Sequence, residues 1–149
     1  MEKPEEDVLP IANKWVFVKK YNKAGELVKY KAQLVVKGCA QWPGFDYTET
    51  FAPVVWLETI HAILALVPGK GMTVQQMDVK GVYLNGIMPE KLYMRQPTRF
   101  NDGTGRLCRL IKTIYGLKQA GCEWNKVFDQ QMRDLGFMPL QSNPCVYIR

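Results

Sequence analysis

A chain of 149 residues with 47% hydrophobic content is long enough for one domain with a core and too apolar to remain disordered. Its four cysteines form no C-x-x-C pair and its one histidine is His61, which argues against a zinc cluster and for reduced thiols in a soluble, intracellular protein. No apolar run is long enough to cross a bilayer and no signal-peptide pattern opens the sequence, so no membrane is expected as a partner, while a net charge of +6 points to a polyanion.

Residues 1–13 read as an N-terminal tail, acidic and proline-containing, and residues 14–149 as one folded unit. Lys14 to Tyr21 and Leu27 to Lys37 read as two strands joined by a polar loop with Gly25, a hairpin. Alternation in the second strand sets Val28, Tyr30, Ala32, Leu34 and Val36 on a face expected to pack. Lys29, Lys31, Gln33 and Lys37 then lie on a cationic face. Residues 38–53, with Gly38, Pro43, Gly44 and Pro53, read as a long surface loop. Leu57, Ile60, Leu64 and Val67 recur at helical spacing, which predicts a helix whose stripe enters the core and which Pro68-Gly69 stops.

Met72 to Asp78 reads as a short strand, and Leu92 to Met94 with Leu107 to Leu110 as two more, separated by a loop containing Asn101-Asp102-Gly103. A second helix is expected from about Leu117 to Leu135, with Trp124, Val127, Phe128 and Met132 on its buried side and Gly136 as its stop. Cys145 to Ile148 opens a further strand.

Two features carry chemistry. The basic segment Lys14 to Lys37 holds seven lysines against the single acid Glu26, which suits phosphate groups, although surface lysines are commonly only solvated. The segment Gln76 to Gly86 places Asp78 at the end of an apolar run with Tyr83 close behind, suited to a metal-holding carboxylate beside a wall that tests a sugar. An Asp that ends an apolar run and opens a turn is usually a helix N-cap, whose side chain satisfies free backbone N–H groups.

Six ordered blocks draw these features together: Lys14-Trp15-Val16-Phe17, Tyr30 to Gly38, Asp46 to Val55, Gln76 to Gly86, Ile114 to Ala120, and Asn143 to Tyr147. From about Lys14 onward the chain closely resembles the reverse transcriptase domain of copia-type retrotransposon polyproteins. The resemblance implies an α+β fold, the fingers and partial palm of a right-hand polymerase, incomplete at the C-terminus. It implies an RNA-directed DNA polymerase acting on an RNA or DNA template-primer with dNTPs and Mg²⁺.

Residue by residue, Asp78 matches the first metal-binding aspartate, with the Val79 carbonyl beside the metal, and Tyr83 the bulky residue that packs under the incoming sugar and disfavours a 2′-hydroxyl. Lys31 and Gln33 match finger positions that grip the triphosphate, and Tyr115 and Gly116 a turn near the nucleotide. Lys19, Lys20, Lys29, Lys37 and Lys118 are expected along the nucleic acid. The family's second metal ligands sit in a Tyr-Val-Asp-Asp hairpin, and no Asp-Asp pair occurs in this sequence. The 149 residues are therefore expected not to polymerise alone, since Mg²⁺ gives up its waters only to several carboxylates and phosphates together. The other expectation is a non-catalytic nucleic-acid-binding remnant of a decayed element. Gln33, Trp42, Trp56, His61 and Cys122 stand where the resemblance implies arginine, a set of changes that deamination of CpG sites would produce.

Overall fold

The computed structural model describes residues 9–149 and shows a mixed α/β chain of eight elements and two short 3₁₀ turns. β1 (Asn13–Tyr21) and β2 (Leu27–Val36) form an antiparallel hairpin in which Trp15 faces Leu34, Phe17 faces Ala32 and Lys20 faces Lys29. Its turn is written by Asn22, whose side-chain oxygen accepts the N–H groups of Ala24 (3.0 Å) and Glu26 (2.9 Å). β3 (Tyr93–Met94) pairs with β4 (Cys108–Arg109), and β5 (Met138–Pro139) with β6 (Tyr147–Ile148), both antiparallel. The helices are α1 (Leu57–Lys70) and α2 (Ala120–Asp134).

The core gathers where the hairpin base meets β3, β4 and the start of α2. Ile11, Val36, Met88, Leu92, Met94, Leu110, Leu117 and Ala120 are buried together, with Tyr83 and Ile114 packed against them. Ile11 is only 5% exposed and its N–H donates to Tyr93 O at 2.8 Å, so the tail expected over residues 1–13 already belongs to the core at Ile11. Residues 1–8 of that tail lie outside the described residues.

Four expectations need correction. The even-numbered face of β2 packs only at its base, through Leu34 and Val36, whereas Val28, Tyr30 and Ala32 are exposed because the hairpin projects beyond the elements that would cover it. The α1 stripe is not core: no residue of the helix is buried, and its Leu and Ile side chains meet no packed partner element among the described residues. Its link to the rest is polar, Asn143 Nδ2 to Thr59 Oγ1 at 3.0 Å. Pro68 does not stop it either. The helix runs on to Lys70, where Gly71 takes the left-handed conformation, so Pro68 sits inside it without the N–H that another residue would give to the ladder. The stretch Met72 to Asp78 forms no strand and is exposed throughout, lacking any edge to pair with.

α2 starts at Ala120 rather than Leu117, since Gln119 is taken up in other contacts, and its buried residues are Ala120, Cys122 and Glu123. Trp124, Val127, Phe128 and Met132 are half-buried. Gly136 N–H donates to Arg133 O (2.9 Å) and Phe137 N–H to Met132 O (2.9 Å), closing the helix where expected. Tyr147 OH donates to Asp129 at 2.9 Å and so ties β6 back to this helix.

Candidate functional site

The segment following Asp78 turns sharply at Gly81 into the 3₁₀ turn Val82–Asn85, with Leu84 N–H donating to Gly81 O at 2.7 Å. Thr113, fully buried, holds that turn from the other side: its N–H donates to Gly86 O at 3.0 Å and its hydroxyl to Tyr83 O. Gly86 has to be glycine, because a Cβ there would stand 2.5 Å from Thr113 Oγ1. The clamp fixes Tyr83 so that its ring meets Tyr115 edge to face, centroids 4.9 Å apart.

Tyr115 is itself anchored to the hairpin base, where Val36 N–H donates to its carbonyl at 2.9 Å. Gly116 follows at φ +95°, and a Cβ there would overlap Val36 O and stand 2.8 Å from Val35 Cγ1. Behind it lies a buried amide pair. Gln41 Nε2 donates to Gln119 Oε1 at 2.9 Å, Gln41 Oε1 accepts the Lys118 N–H at 2.9 Å, and Gln119 Nε2 donates to Asp46 O at 2.9 Å. Every polar atom of these amides that is out of water thus finds a partner, which locks the loop after β2 onto the start of α2.

Cross-strand pairing sorts the hairpin lysines. Lys31 lies opposite Val18, Gln33 opposite Val16 and Lys29 opposite Lys20, all on the face that begins at Val35 beside Gly116. Lys31 and Gln33 therefore share one face of the strand with Val35, the residue that meets Gly116. Lys20 and Lys29 face each other without an acid between them, an arrangement that repels unless an anion is shared. Lys19 points to the other face beside Tyr30, and Lys37 stands past the end of β2, its N–H donating to Ala12 O at 2.8 Å. Lys118 is not a free cation: its Nζ reaches Gln41 O (3.4 Å) and Tyr47 OH (3.2 Å) and lies 5.0 Å over the Tyr47 ring.

Asp78 and Val79 are both exposed, and Asp78 has no hydrogen-bond or ionic partner among the described residues, so it is not serving as a cap. Nor do the described residues group three acids, cysteines or histidines in a metal-holding cluster. A pair of Mg²⁺ ions needs several hard oxygen ligands, so the donor set present here does not fit such a centre by itself. The carboxylates with strongly shifted acidity are elsewhere and structural. Thr104, Gln96 and Arg106 hold Asp102 well below the usual range, and Arg133 with Tyr147 lowers Asp129.

Sequence reasoning overlooked Thr113, Gln41 and Gln119. Gln119 stood inside a quoted block, and a polar amide between Leu117 and Ala120 is the one signal that pointed to a buried role.

The whole chain, residues 1–149, matches the protein family described as Reverse transcriptase (RNA-dependent DNA polymerase). It is 42% identical over 142 residues to the retrovirus-related Pol polyprotein from transposon TNT 1-94 of Nicotiana tabacum, a match covering 94% of this chain and 11% of that protein. It is 36% identical over 147 residues to the retrovirus-related Pol polyprotein from transposon RE1 of Arabidopsis thaliana, covering 97% of this chain and 10% of the relative. A transposon Ty1-ER2 Gag-Pol polyprotein of Saccharomyces cerevisiae is 29% identical over 126 residues, covering 79% of this chain and 7% of its own length. The chain thus spans about a tenth of the curated relatives it matches. No solved structure matches it.

Proposed function

Because the chain belongs to the reverse transcriptase (RNA-dependent DNA polymerase) family, as a domain of copia-type retrotransposon Pol polyproteins, we propose that it is the nucleotide-binding half of such a polymerase. In this reading residues 14–149 are the fingers hairpin and the first part of the palm of a right hand. The enzyme as a whole extends a primer on an RNA or DNA template with deoxynucleotides.

The observation that carries the proposal is the edge contact between Tyr83 and Tyr115 at the base of the lysine-bearing hairpin. Two blocks distant in sequence meet there, in this reading as the wall against which the incoming sugar packs, while Lys31 and Gln33 on the hairpin serve the triphosphate. Tyr83, pinned through its backbone by Thr113, cannot retreat from a 2′-hydroxyl, which suits selection of deoxynucleotides. Lys20 and Lys29 extend the same positive surface toward a nucleic-acid backbone.

Asp78 with the Val79 carbonyl supplies one wall of a metal site, and the Mg²⁺ expected for the family requires carboxylates from elsewhere in the polymerase. The isolated 149 residues accordingly bind but do not extend a primer. The test is primer extension with oligo-dT on poly(rA) in Mg²⁺, for the chain alone and for the chain fused to the downstream palm segment of the tobacco relative. The fusion should incorporate dTTP and lose that ability in Asp78→Asn, with the chain alone silent. Incorporation by the chain alone, or a fusion indifferent to Asp78→Asn, overturns the reading. An inert fusion that still binds nucleic acid leaves the non-catalytic remnant as the better account.

A further inference from the structure

The hairpin contains no arginine, whereas four of the chain's six arginines, Arg95, Arg99, Arg106 and Arg109, fall between the end of β3 and the end of β4. Asp102 is the one acid in that stretch. A lysine meets an anion as a point charge, but the planar guanidinium forks onto two oxygens at once, so a group of arginines suits phosphate recognition in particular.

The loop before β4 braces itself. Asn101 Oδ1 accepts the Gly103 N–H at 2.9 Å, and the Asp102 carboxylate accepts Gln96 Nε2 at 2.9 Å, the Thr104 N–H at 3.0 Å, the Thr104 hydroxyl at 2.5 Å and Arg106 Nη2 at 2.7 Å. Arg106 also gives Nε to Thr104 Oγ1 at 3.0 Å, which leaves Nη1 and its two N–H groups unspent among the described residues. Arg95 has a fixed main chain, its N–H donating to Ile11 O at 3.1 Å and its carbonyl accepting Asn13 Nδ2 at 2.6 Å. Its guanidinium has no partner among the described residues.

Both arginines line a cavity of about 290 Å³, walled by Pro10 and Leu107 and bordered by Asn101, whose side-chain NH₂ is likewise unspent. We propose that this cavity binds a phosphate group, held by the Arg95 fork, Arg106 Nη1 and the Asn101 amide. The nearby carboxylate does not oppose this, because Asp102 meets its charge within the loop, paired with Arg106. The unspent side-chain groups around the cavity are therefore donors. Three of them, from separate positions along the chain, suit a tetrahedral phosphate better than a planar carboxylate with two oxygens. The site shares no residue with the Tyr83–Tyr115 contact or the hairpin lysines, and it does not depend on the polymerase reading.

The experiment titrates inorganic phosphate into the 149-residue chain at constant ionic strength and reads binding from the phosphorus NMR line width. Arg95→Gln, at an exposed position outside the braced loop, should weaken binding about tenfold, the worth of one charge-assisted hydrogen bond, and Arg95→Lys should recover only part of it. Lys23→Gln and Lys70→Gln remove equal charge at exposed positions elsewhere and should leave the affinity unchanged, and acetate should not compete. Thymidine 5′-monophosphate, titrated in parallel, shows whether the group is taken free or on a nucleoside, and in either form the Arg95 dependence must hold. Equal weakening by Arg95→Gln and Lys23→Gln marks diffuse charge and overturns the proposal, as does competition by acetate. Phosphate binding that appears only when Glu5→Gln, Glu6→Gln and Asp7→Asn are combined overturns it too, since the cavity then serves the chain's own carboxylates.

Discussion

Tyr83 and Tyr115 touch edge to face at 4.9 Å only because Thr113, buried beneath them, gives its hydroxyl proton to the Tyr83 carbonyl and its N–H to Gly86 O. Two backbone carbonyls of the tight turn thereby accept hydrogen bonds from one residue. The site is built on a threonine that neither block contains as a functional residue.

Thr113→Val keeps the shape and removes the hydroxyl, leaving the half-buried Tyr83 carbonyl with the Gly86 N–H at 3.2 Å as its remaining donor. The cost should be that of one hydrogen bond, about 0.5–1.5 kcal/mol. Urea denaturation measures it, and the near-UV circular dichroism of the paired tyrosines should weaken in the folded variant as their mutual orientation loosens. A variant as stable as the parent, with an unchanged aromatic signal, would remove Thr113 from this role.

Gly116→Ala tests the second support of the site. The new methyl group would run into Val36 O and crowd Val35 Cγ1, and the φ of +95° disfavours any Cβ. A loss of more than about 2 kcal/mol is expected, since backbone must shift where backbone is in contact. Gly25→Ala is the control: it shares a positive φ of +81° but has open space around it, so only the conformational cost of about 1 kcal/mol applies. Equal losses in the two variants would show that conformation alone, not the approach of the two segments, demands glycine at 116.

What the sequence disclosed follows from how local each feature is. The hairpin was readable to within a residue because alternation and the Asn22–Glu26 turn are encoded side by side. The end of α2 at Gly136 was readable for the same reason. The fate of the α1 stripe was not, because periodicity reports that Leu57, Ile60 and Leu64 share a face and says nothing of what faces them. Met72 to Asp78 failed as a strand because strand pairing is decided by a partner edge elsewhere. In the candidate site, Tyr83, Tyr115 and Gly116 were singled out from their blocks, but their meeting depends on Thr113 and on the Gln41–Gln119 pair, whose roles exist only once segments distant in sequence are folded together.

Stability at high pH should carry the mark of Tyr147. Burial, aided by the Asp129 carboxylate that accepts its hydrogen bond, pushes its hydroxyl up to about 12 from an ordinary value of 10.0. The unfolded chain therefore releases this proton first. The tyrosine's contribution is complete below pH 10, declines as pH rises from there to about 12, and is gone above that. Tyr147→Phe loses the hydrogen bond, and so is less stable at neutral pH, but its urea midpoint should fall less steeply between pH 10 and 12. Parallel declines in parent and variant would show that Tyr147 titrates alike in folded and unfolded chains.

Cys122 offers a test of what its environment was built for. It is buried near the start of α2, where burial raises its thiol pKa and Glu123, Glu49 and Glu90 act in the same direction against the single opposing cation Lys126. Lys126 is already paired with Glu123 at 2.6 Å, and Glu90 keeps a buried carboxylate oxygen with no partner. Glu123 thus has its cation and Glu49 the N–H groups of Thr50 and Phe51, which leaves the buried Glu90 oxygen as the acceptor short of a donor. Cys122→Arg should therefore raise stability by about 1 kcal/mol, as charge-assisted hydrogen bonds worth more than a neutral one offset the crowding of a larger side chain. Cys122→Met supplies comparable bulk without charge and should be destabilising, which separates electrostatics from packing. Thermal melts at low and high salt decide between them: the arginine's advantage should shrink as salt screens it, and an arginine variant less stable than the methionine one would show that steric crowding governs this position.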